Sequence, residues 1–439
     1  MSGDGRRSAW AWVVIAVAIV AAGCADSKAT GGGGASQRTL RVPASYPTIQ
    51  KAVDASKPGD LILVSPGVYK EADADGKPVG VTVETEGITI RGLDRNKVII
   101  DGGFEAENGI KVFSNNVAVE NLTIRDNTGN GLFFTGDYGK GFTLEGYRAS
   151  YVTAYDNGLY GIYAFNATRG QIDHSYGSGN PDSGFYIGQC NPCQALMTDD
   201  LAETNMLGYS GTNSTGVTIV NSTFRKNRSG IDPNSLYSEK LSPNDGTTIV
   251  GNVVEDNQNP LAPNNESFAV AWGNGIVLGG VSHSTVERNL VRGHINAGIV
   301  VTDFPQSTNP KTNEQETFKP VGNTVRSNTT SKNTFDLVYL PAYYPSRPFE
   351  NCFEKNTYTT TYPDGLESKL PCKPGNDIDL GDLSGILSKL NPPAPDVDYK
   401  QIAAPPDQPQ MPKAATAKGL AATGVTGKVD TSKIATPTG

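Results

Sequence analysis

A glycine followed by an apolar residue recurs at Gly87-Ile88, Gly109-Ile110, Gly131-Leu132, Gly161-Ile162, Gly184-Phe185, Gly208-Tyr209, Gly230-Ile231, Gly275-Ile276 and Gly298-Ile299. The successive intervals are 22, 22, 30, 23, 24, 22, 45 and 23 residues. Most fall at 22 to 24; the 30 reads as one coil with an inserted loop and the 45 as two coils. Asparagine often stands a few residues before the glycine, as at Asn108, Asn157, Asn205, Asn227, Asn274 and Asn296, and a second apolar stretch such as Val119 to Ile124 or Val217 to Phe224 precedes it. A unit this short, made of two or three strands with Gly and Asn at its corners, cannot bury its own apolar face and must stack on its neighbours. The pattern predicts an all-β solenoid.

The entry to this repeat carries a recognisable series of residues: Thr48-Ile49-Gln50, Ala52, Pro58-Gly59-Asp60, Ile62, Val64, Gly67, Tyr69 and Glu71. It resembles the start of right-handed parallel β-helices of the pectin-lyase-like superfamily, and the coils that follow resemble its nitrous-oxide-accessory and carbohydrate-active branch. The resemblance spans about residues 38 to 345 and implies a single-stranded, right-handed parallel β-helix. For activity it implies only a range, since the superfamily holds lyases, hydrolases, epimerases and proteins without known catalysis. Its epimerase branch carries an Asp-Pro-His-Asp motif, where this chain has Asp173-His174-Ser175.

The ends follow from composition. Arg6 and Arg7 precede an apolar run from Ala9 to Ala22, too short to span a bilayer but suited to a signal peptide over 1–23. The run ends in Ala21-Ala22-Gly23-Cys24, which resembles a bacterial lipobox, so Cys24 is the expected lipidation site and 24–37, with Gly31 to Gly34, a flexible tether. The expected location is extracytoplasmic, anchored to the membrane by lipid. The β-helix domain is placed at 38–373. Ile49, Ala52 and Val53 share one face of a short helix that would cap the first coil. Leu383, Ile386, Leu387 and Leu390 have helical spacing, which suggests a C-terminal capping helix over 374–391. The Pro-, Ala-, Thr- and Lys-rich residues 392–439 read as a disordered tail. In an oxidising exterior, Cys352 and Cys372 would close one loop, and Cys190 with Cys193 would form a small structural disulfide, since three histidines are too few for a Cys-His zinc site.

Strand alternation places the second residue after each glycine toward solvent. The outward column reads Thr89, Lys111, Phe133, Tyr163, Tyr186, Ser210, Asp232, Val277 and Val300. Aromatic rings followed by a hydroxyl and a carboxylate suit a sugar chain, whose rings stack on aromatic faces while polar groups orient its hydroxyls. The alternative is an aromatic stack that only braces the sheet. On the sugar reading Lys111, Phe133, Tyr163, Ser210 and Arg225 bind substrate, the rings of Tyr163 and Tyr186 stand side by side in solvent, and the inserted loop Asp137 to Arg148 walls a groove.

Candidate catalytic groups are sorted by the chemistry each reaction needs. Hydrolysis requires two carboxyls flanking one bond, for which Asp182 and Asp232 are candidates on different coils. A uronate lyase or epimerase requires a base, Tyr186 or His174, and a neutralising cation, Lys111, Arg225 or calcium. No calcium cage is evident and no cofactor is expected. Asp173-His174 has the look of a base with its orienting carboxylate. However, counting back six from Asn180, Asn127, Asn227 and Asn205 gives His174, Asn121, Asn221 and Asp199, so His174 is expected to be a structural member of a corner ladder. His283 and His294 read as ordinary surface residues. With 37 basic against 45 acidic residues, the net charge of −8 argues against a nucleic-acid partner. The sequence thus predicts a monomeric, lipid-anchored β-helix that binds and cleaves or modifies a polysaccharide, as lyase or hydrolase, or else a non-catalytic carbohydrate-binding or structural envelope protein.

Overall fold

The computed structural model describes residues 37–264, 272–308, 315–341, 347–374, 378–419 and 429–438. The expected signal peptide, Cys24 and all of the expected tether but Gln37 lie outside the described residues. Three all-parallel sheets of 12, 11 and 10 strands run the length of the solenoid, each coil between the first and the last giving one strand to each. Sheet I runs from Thr39–Val42 to Cys352–Glu354, sheet II from Val81–Val83 to Thr361–Tyr362, and sheet III from Gly67–Tyr69 to Thr329–Ser331. Inward aliphatic residues such as Ile110, Leu132, Ile162, Ile231, Ile276 and Ile299 are all fully buried and form one continuous core. The 22-residue repeat is therefore one turn of a three-sided coil.

The glycine steps stack in a single file. A Cβ on Gly131 would lie 2.6 Å from the carbonyl oxygen of Gly161, one on Gly161 equally close to that of Gly184, and one on Gly208 equally close to that of Gly230. Any side chain there would push successive coils apart, which is why glycine recurs. Gly87 does not belong to this file: it adopts φ +68° at another corner, and Thr89 lies on sheet I, paired with Leu61 and Ala118. Thr82 takes the place expected for Thr89, paired with Lys111. The repeat period alone does not distinguish one corner of a three-sided coil from another.

Beside the glycines runs an amide ladder. The Nδ2 of Asn127 donates to Oδ1 of Asn157 at 2.7 Å, and the chain continues through Asn180, Asn205, Asn227 and Asn257 at 2.7–3.2 Å. His294 holds the next rung, with Nε2 3.1 Å from Asn257 and Nδ1 2.8 Å from Asn333. The surface position expected for His294 is therefore wrong. It is 1% exposed, and burial pulls its pKa down to about 4. A neutral imidazole accepts at one nitrogen and donates at the other, the same two roles an amide plays in the ladder.

His174 departs from expectation differently. It shares the left-handed corner conformation of Asn121, Asp199 and Asn221, with φ near +50 to +59°. Its side chain does not enter an amide ladder; the ring stacks on Tyr151 at 4.5 Å on the surface. The amide ladder at this corner runs one residue later, through Asn252, Asn289 and Asn328.

Helix α1 (Ile49–Asp54) covers the first coil with Ile49, Ala52 and Val53, as the sequence predicts. The Glu71 carboxylate accepts from the N–H groups of Ile49 at 2.8 Å and Gln50 at 3.2 Å, closing its free N-terminus. The far end is covered by helix α2 (Leu366–Lys369), whose Leu366 joins the core together with Leu370. The disulfide Cys352–Cys372 ties that cap to the last strand of sheet I, and Cys190–Cys193 closes a tight turn. Of the expected C-terminal capping helix, the described residues 378–391 do not form an end cap. Ser384–Lys389 is a 3-10 turn whose Leu383 and Ile386 pack on Val300 and Val338, on the outer face of sheet II.

The described part of the expected disordered tail is laid against the solenoid. Arg228 donates to the carbonyls of Ala394 and Pro395, Arg95 to that of Pro409, Arg91 to those of Ala414, Ala417 and Lys418, and Arg288 to those of Thr431 and Ile434. Val429 and Ile434 pack on Leu196, Val220 and Val250. Composition misleads because proline-rich chain keeps its carbonyls free as acceptors, and these arginines use them.

Candidate active cleft

The outward column of sheet II is in register from Lys111 to Asp232: Lys111 pairs with Phe133, Phe133 with Tyr163, Tyr163 with Tyr186, Tyr186 with Ser210 and Ser210 with Asp232. Val277 and Val300 continue it. Phe133 and Tyr163 stack at 4.5 Å with their planes 7° apart, Tyr160 stacks on Tyr163 at 4.3 Å, and Lys111 Nζ lies 5.4 Å from the Phe133 ring. These make a half-buried aromatic shelf.

Tyr186 corrects the expectation of two solvent-facing rings. It is 3% exposed and meets Tyr163 edge-on at 81°. Burial raises its hydroxyl well above the usual phenol range, which ill suits a base. Only the first part of the expected loop wall is a loop. Asp137 caps the short turn Tyr138–Lys140, Tyr138 donates to the Gln189 carbonyl at 2.6 Å and Lys240 sits over its ring, while Leu144–Ser150 is a strand of sheet I.

Beyond the shelf sheet II forms the floor of a cleft of about 470 Å³. Ser210, Asp232, Val277 and Val300 of the outward column line it, together with Asp182, Glu239, Asp303, Leu387 and Leu390. Asp232 sits on the strand Ser229–Asn234 and is 8% exposed. Burial, helped by the negative charge of Asp182, pushes its carboxyl up to about 7. No donor approaches that carboxyl among the described residues. Asp182, just before the strand Ser183–Gly188, is 5% exposed and hydrogen-bonds with the Tyr160 hydroxyl. Burial also raises Glu239, opposed by the amide of Gln189 that donates to it.

The other candidates lie on other faces. Asp173 ends a strand of sheet I and is occupied by Arg148 at 3.0 Å, Ser150 at 2.7 Å and Gln171 at 2.9 Å, with His174 Nδ1 at 3.1 Å. Arg225 is on sheet III, paired with Glu203 at 2.9 Å. Neither Asp173-His174 nor Arg225 joins the cleft. The carboxyl pair Asp182 and Asp232, separated in sequence, does come together there. Tyr160, Glu239 and Asp303 were not singled out by sequence; Tyr160 stands one residue before a repeat glycine, while Glu239 and Asp303 sit outside the glycine steps. Among the described residues no group of three or more His, Cys, Asp and Glu side chains is placed to hold a metal ion.

Residues 108–314 match the family model described as a right handed beta helix region. The fold is a right-handed parallel β-helix. This is the fold that the sequence resemblance implies. No curated protein sequence matches the chain. Among solved structures it is similar to the A-module of the Azotobacter vinelandii mannuronan C-5 epimerase AlgE4, at 13% identity, covering 75% of this chain and 94% of that one, with a TM-score of 0.51. The A-module of AlgE6 from the same organism follows at 12% identity, 71% and 91% coverage and a TM-score of 0.46. The pectate lyase Pel9A follows at 17% identity, 82% and 89% coverage and a TM-score of 0.40. At these identities the likeness is one of fold alone.

Proposed function

We propose that this protein is an extracytoplasmic, lipid-anchored β-helix that binds a polysaccharide along sheet II and hydrolyses it in the cleft. The observation that carries the reading is Asp232, a buried carboxyl on the floor of an open cleft, held near neutrality by its surroundings. Such a group keeps its proton at the pH where it must give it to a departing glycosidic oxygen. Asp182 then serves as the base. The bond between anomeric carbon and leaving oxygen breaks, and a water oxygen bonds to that carbon. One proton passes from Asp232 to the leaving oxygen and one from the water to Asp182. The strands that carry them are two coils apart in register, with Asp182 four residues before Tyr186, the member of Asp232's own column on that coil. The shelf of Phe133, Tyr163 and Tyr160 suits stacking of further sugars.

The test is a reducing-end and unsaturated-product assay on a panel of acidic and neutral polysaccharides, with and without calcium. The expected result is reducing ends without unsaturated products, and a loss of turnover of about 10²- to 10⁴-fold in Asp232→Asn. Unsaturated products would replace hydrolysis by elimination, and retention of a glycan without any product would leave a binding protein. The apolar run ending at Cys24 and the two disulfides support export and anchoring. Cys24→Ser is accordingly expected to leave the membrane fraction or stay unprocessed, and a processed, membrane-bound variant would remove the anchor.

A further inference from the structure

We infer that the cleft takes glycan chains by one end, so that its products are short, and that residues 383–390 are the stop that imposes this. The inference rests on the reading of sheet II as a glycan site and names how a chain enters it. The outward column of sheet II changes character past Asp232. It continues in register through Val277, Val300, Val338 and Tyr362. Val277 is half-buried, whereas Val300 is 8% and Val338 1% exposed. Chain from beyond helix α2 covers them: Leu383 and Ile386 pack on Val300 and Val338, with Leu380 and Leu390 partly buried alongside.

The same segment reaches the cleft. Ile386, Leu387 and Leu390 line it together with Val277, Val300 and Val338, and Leu387 is 56% exposed. Hydrogen bonds fasten the segment on both sides. The Tyr362 hydroxyl donates to the Leu383 carbonyl at 2.9 Å, the Asn391 N–H donates to Oδ1 of Asn296 at 2.6 Å, and the Asn391 side-chain amide donates to the Ile295 carbonyl at 2.9 Å. Between these points the chain is drawn into the 3-10 turn Ser384–Lys389. Asp232 and Val300 are two coils apart, about 10 Å at roughly 4.8 Å per coil. A sugar chain laid along the column therefore runs out of open floor a short way past Asp232. Going further would require it to lift Leu383 and Ile386 and return their apolar surface, with that of Val300 and Val338, to water. In the other direction the column carries the half-buried rings of Tyr163 and Phe133, a surface that the rest of the chain can follow. The column is thus asymmetric about Asp232.

The test separates mode of entry from chemistry. Hexamers of glucose, N-acetylglucosamine and galacturonate are each coupled to a bulky label at the reducing end or at the opposite end, and binding to the whole purified protein is measured. The expected result is a preference of at least about ten-fold for one label position, since a label on the inserted end meets the stop. Long chains of the same sugars should yield one short product from the earliest times rather than a ladder of sizes. Leu383→Ser combined with Ile386→Ser should lift the stop, bringing the two labelled forms to within about three-fold of each other and producing the ladder, with folding checked by the thermal midpoint. If that variant does not fold, Leu387→Ala, which trims the exposed face of the stop, should reduce the preference in its place. Equal binding of both labelled forms, a ladder from the parent, or a preference unmoved in a folded variant overturns the inference while leaving hydrolysis standing. A one-ended preference without any product supports the inference and overturns hydrolysis. Absence of binding by every hexamer removes both.

Discussion

On sheet I the side chain of Arg91 is fully buried, and its four donor contacts end on the Glu120 carboxylate and on the carbonyls of Ala414, Ala417 and Lys418. At the corner beside it Arg95 is 1% exposed and bonded to Thr153 and to the carbonyls of Val152, His174 and Pro409. On sheet II Asp232 is almost as deeply buried, yet no donor reaches its carboxyl among the described residues. The first region is a charge completed by the chain's own backbone; the second is a charge left incomplete beside an open cleft. Folding tolerates the second only by letting the carboxyl keep its proton, since an ionised group without a partner is costly to bury. The contrast separates structural charge from functional charge more sharply than burial alone, and it singles out Asp232 over the better-looking Asp173-His174 pair, whose carboxylate is fully engaged by Arg148, Ser150 and Gln171.

Substitution should have opposite signs in the two regions. The larger effect is expected at Arg91. Replacing it by Met leaves the Glu120 carboxylate buried without its cation and should cost about 3 to 5 kcal/mol of stability, as breaking a buried pair from one side does. Adding Glu120→Leu should recover most of that loss in chemical denaturation. A single variant within about 1 kcal/mol of the parent, against the usual cost of a broken buried pair, would mean the tail carbonyls alone satisfy this charge, and the comparison would lose its first half.

The smaller effect is expected at Asp232 and depends on pH. The unfolded carboxyl has a pKa near 3.9 and the folded one is pushed up to about 7, so the folded state holds the proton more tightly. Its contribution to stability is complete below about pH 4 and is lost as pH rises to about 7. Asp232→Asn should therefore match the parent near pH 4 and exceed it by a few degrees of thermal midpoint near pH 8. A variant less stable than the parent at pH 8 would reveal a partner for the carboxylate and close the gap between the two regions.

Much of this architecture is legible in sequence because it is imposed at every coil. The glycine file is readable since a Cβ at Gly131 or Gly161 collides with the next coil, and the column from Lys111 to Asp232 follows from that register. His294 was within reach: it stands four residues before Gly298, as Asn127, Asn157 and Asn180 stand four before Gly131, Gly161 and Gly184. Its identity hid its position. The three-sidedness of the coil was not readable, and so Thr89 was placed in a column whose other members lie on sheet II, and Arg225 and Asp173-His174 were named as candidates for the same chemistry although Arg225 lies on sheet III and Asp173 on sheet I. Glu239 and Asp303 lie outside the repeat glycines, where no register reaches. The tail was illegible for another reason: Arg91, Arg95, Arg228 and Arg288 are placed without a period, so nothing along the chain announces that they receive it.

That tail changes how the molecule can come apart. A stack of coils in which each touches only its neighbours frays from either end, and each end does so on its own. Here one stretch of backbone meets Asn296 through Asn391, then the carbonyl of Asn127 through Tyr399, then Arg91 near the first coils. Loosening the first coils releases chain that is also fastened far along the axis, and loosening the later coils frees the strap that braces the first. The two ends thereby acquire a shared fate, and a repeat architecture that would otherwise melt piecemeal is given the cooperativity of a closed body.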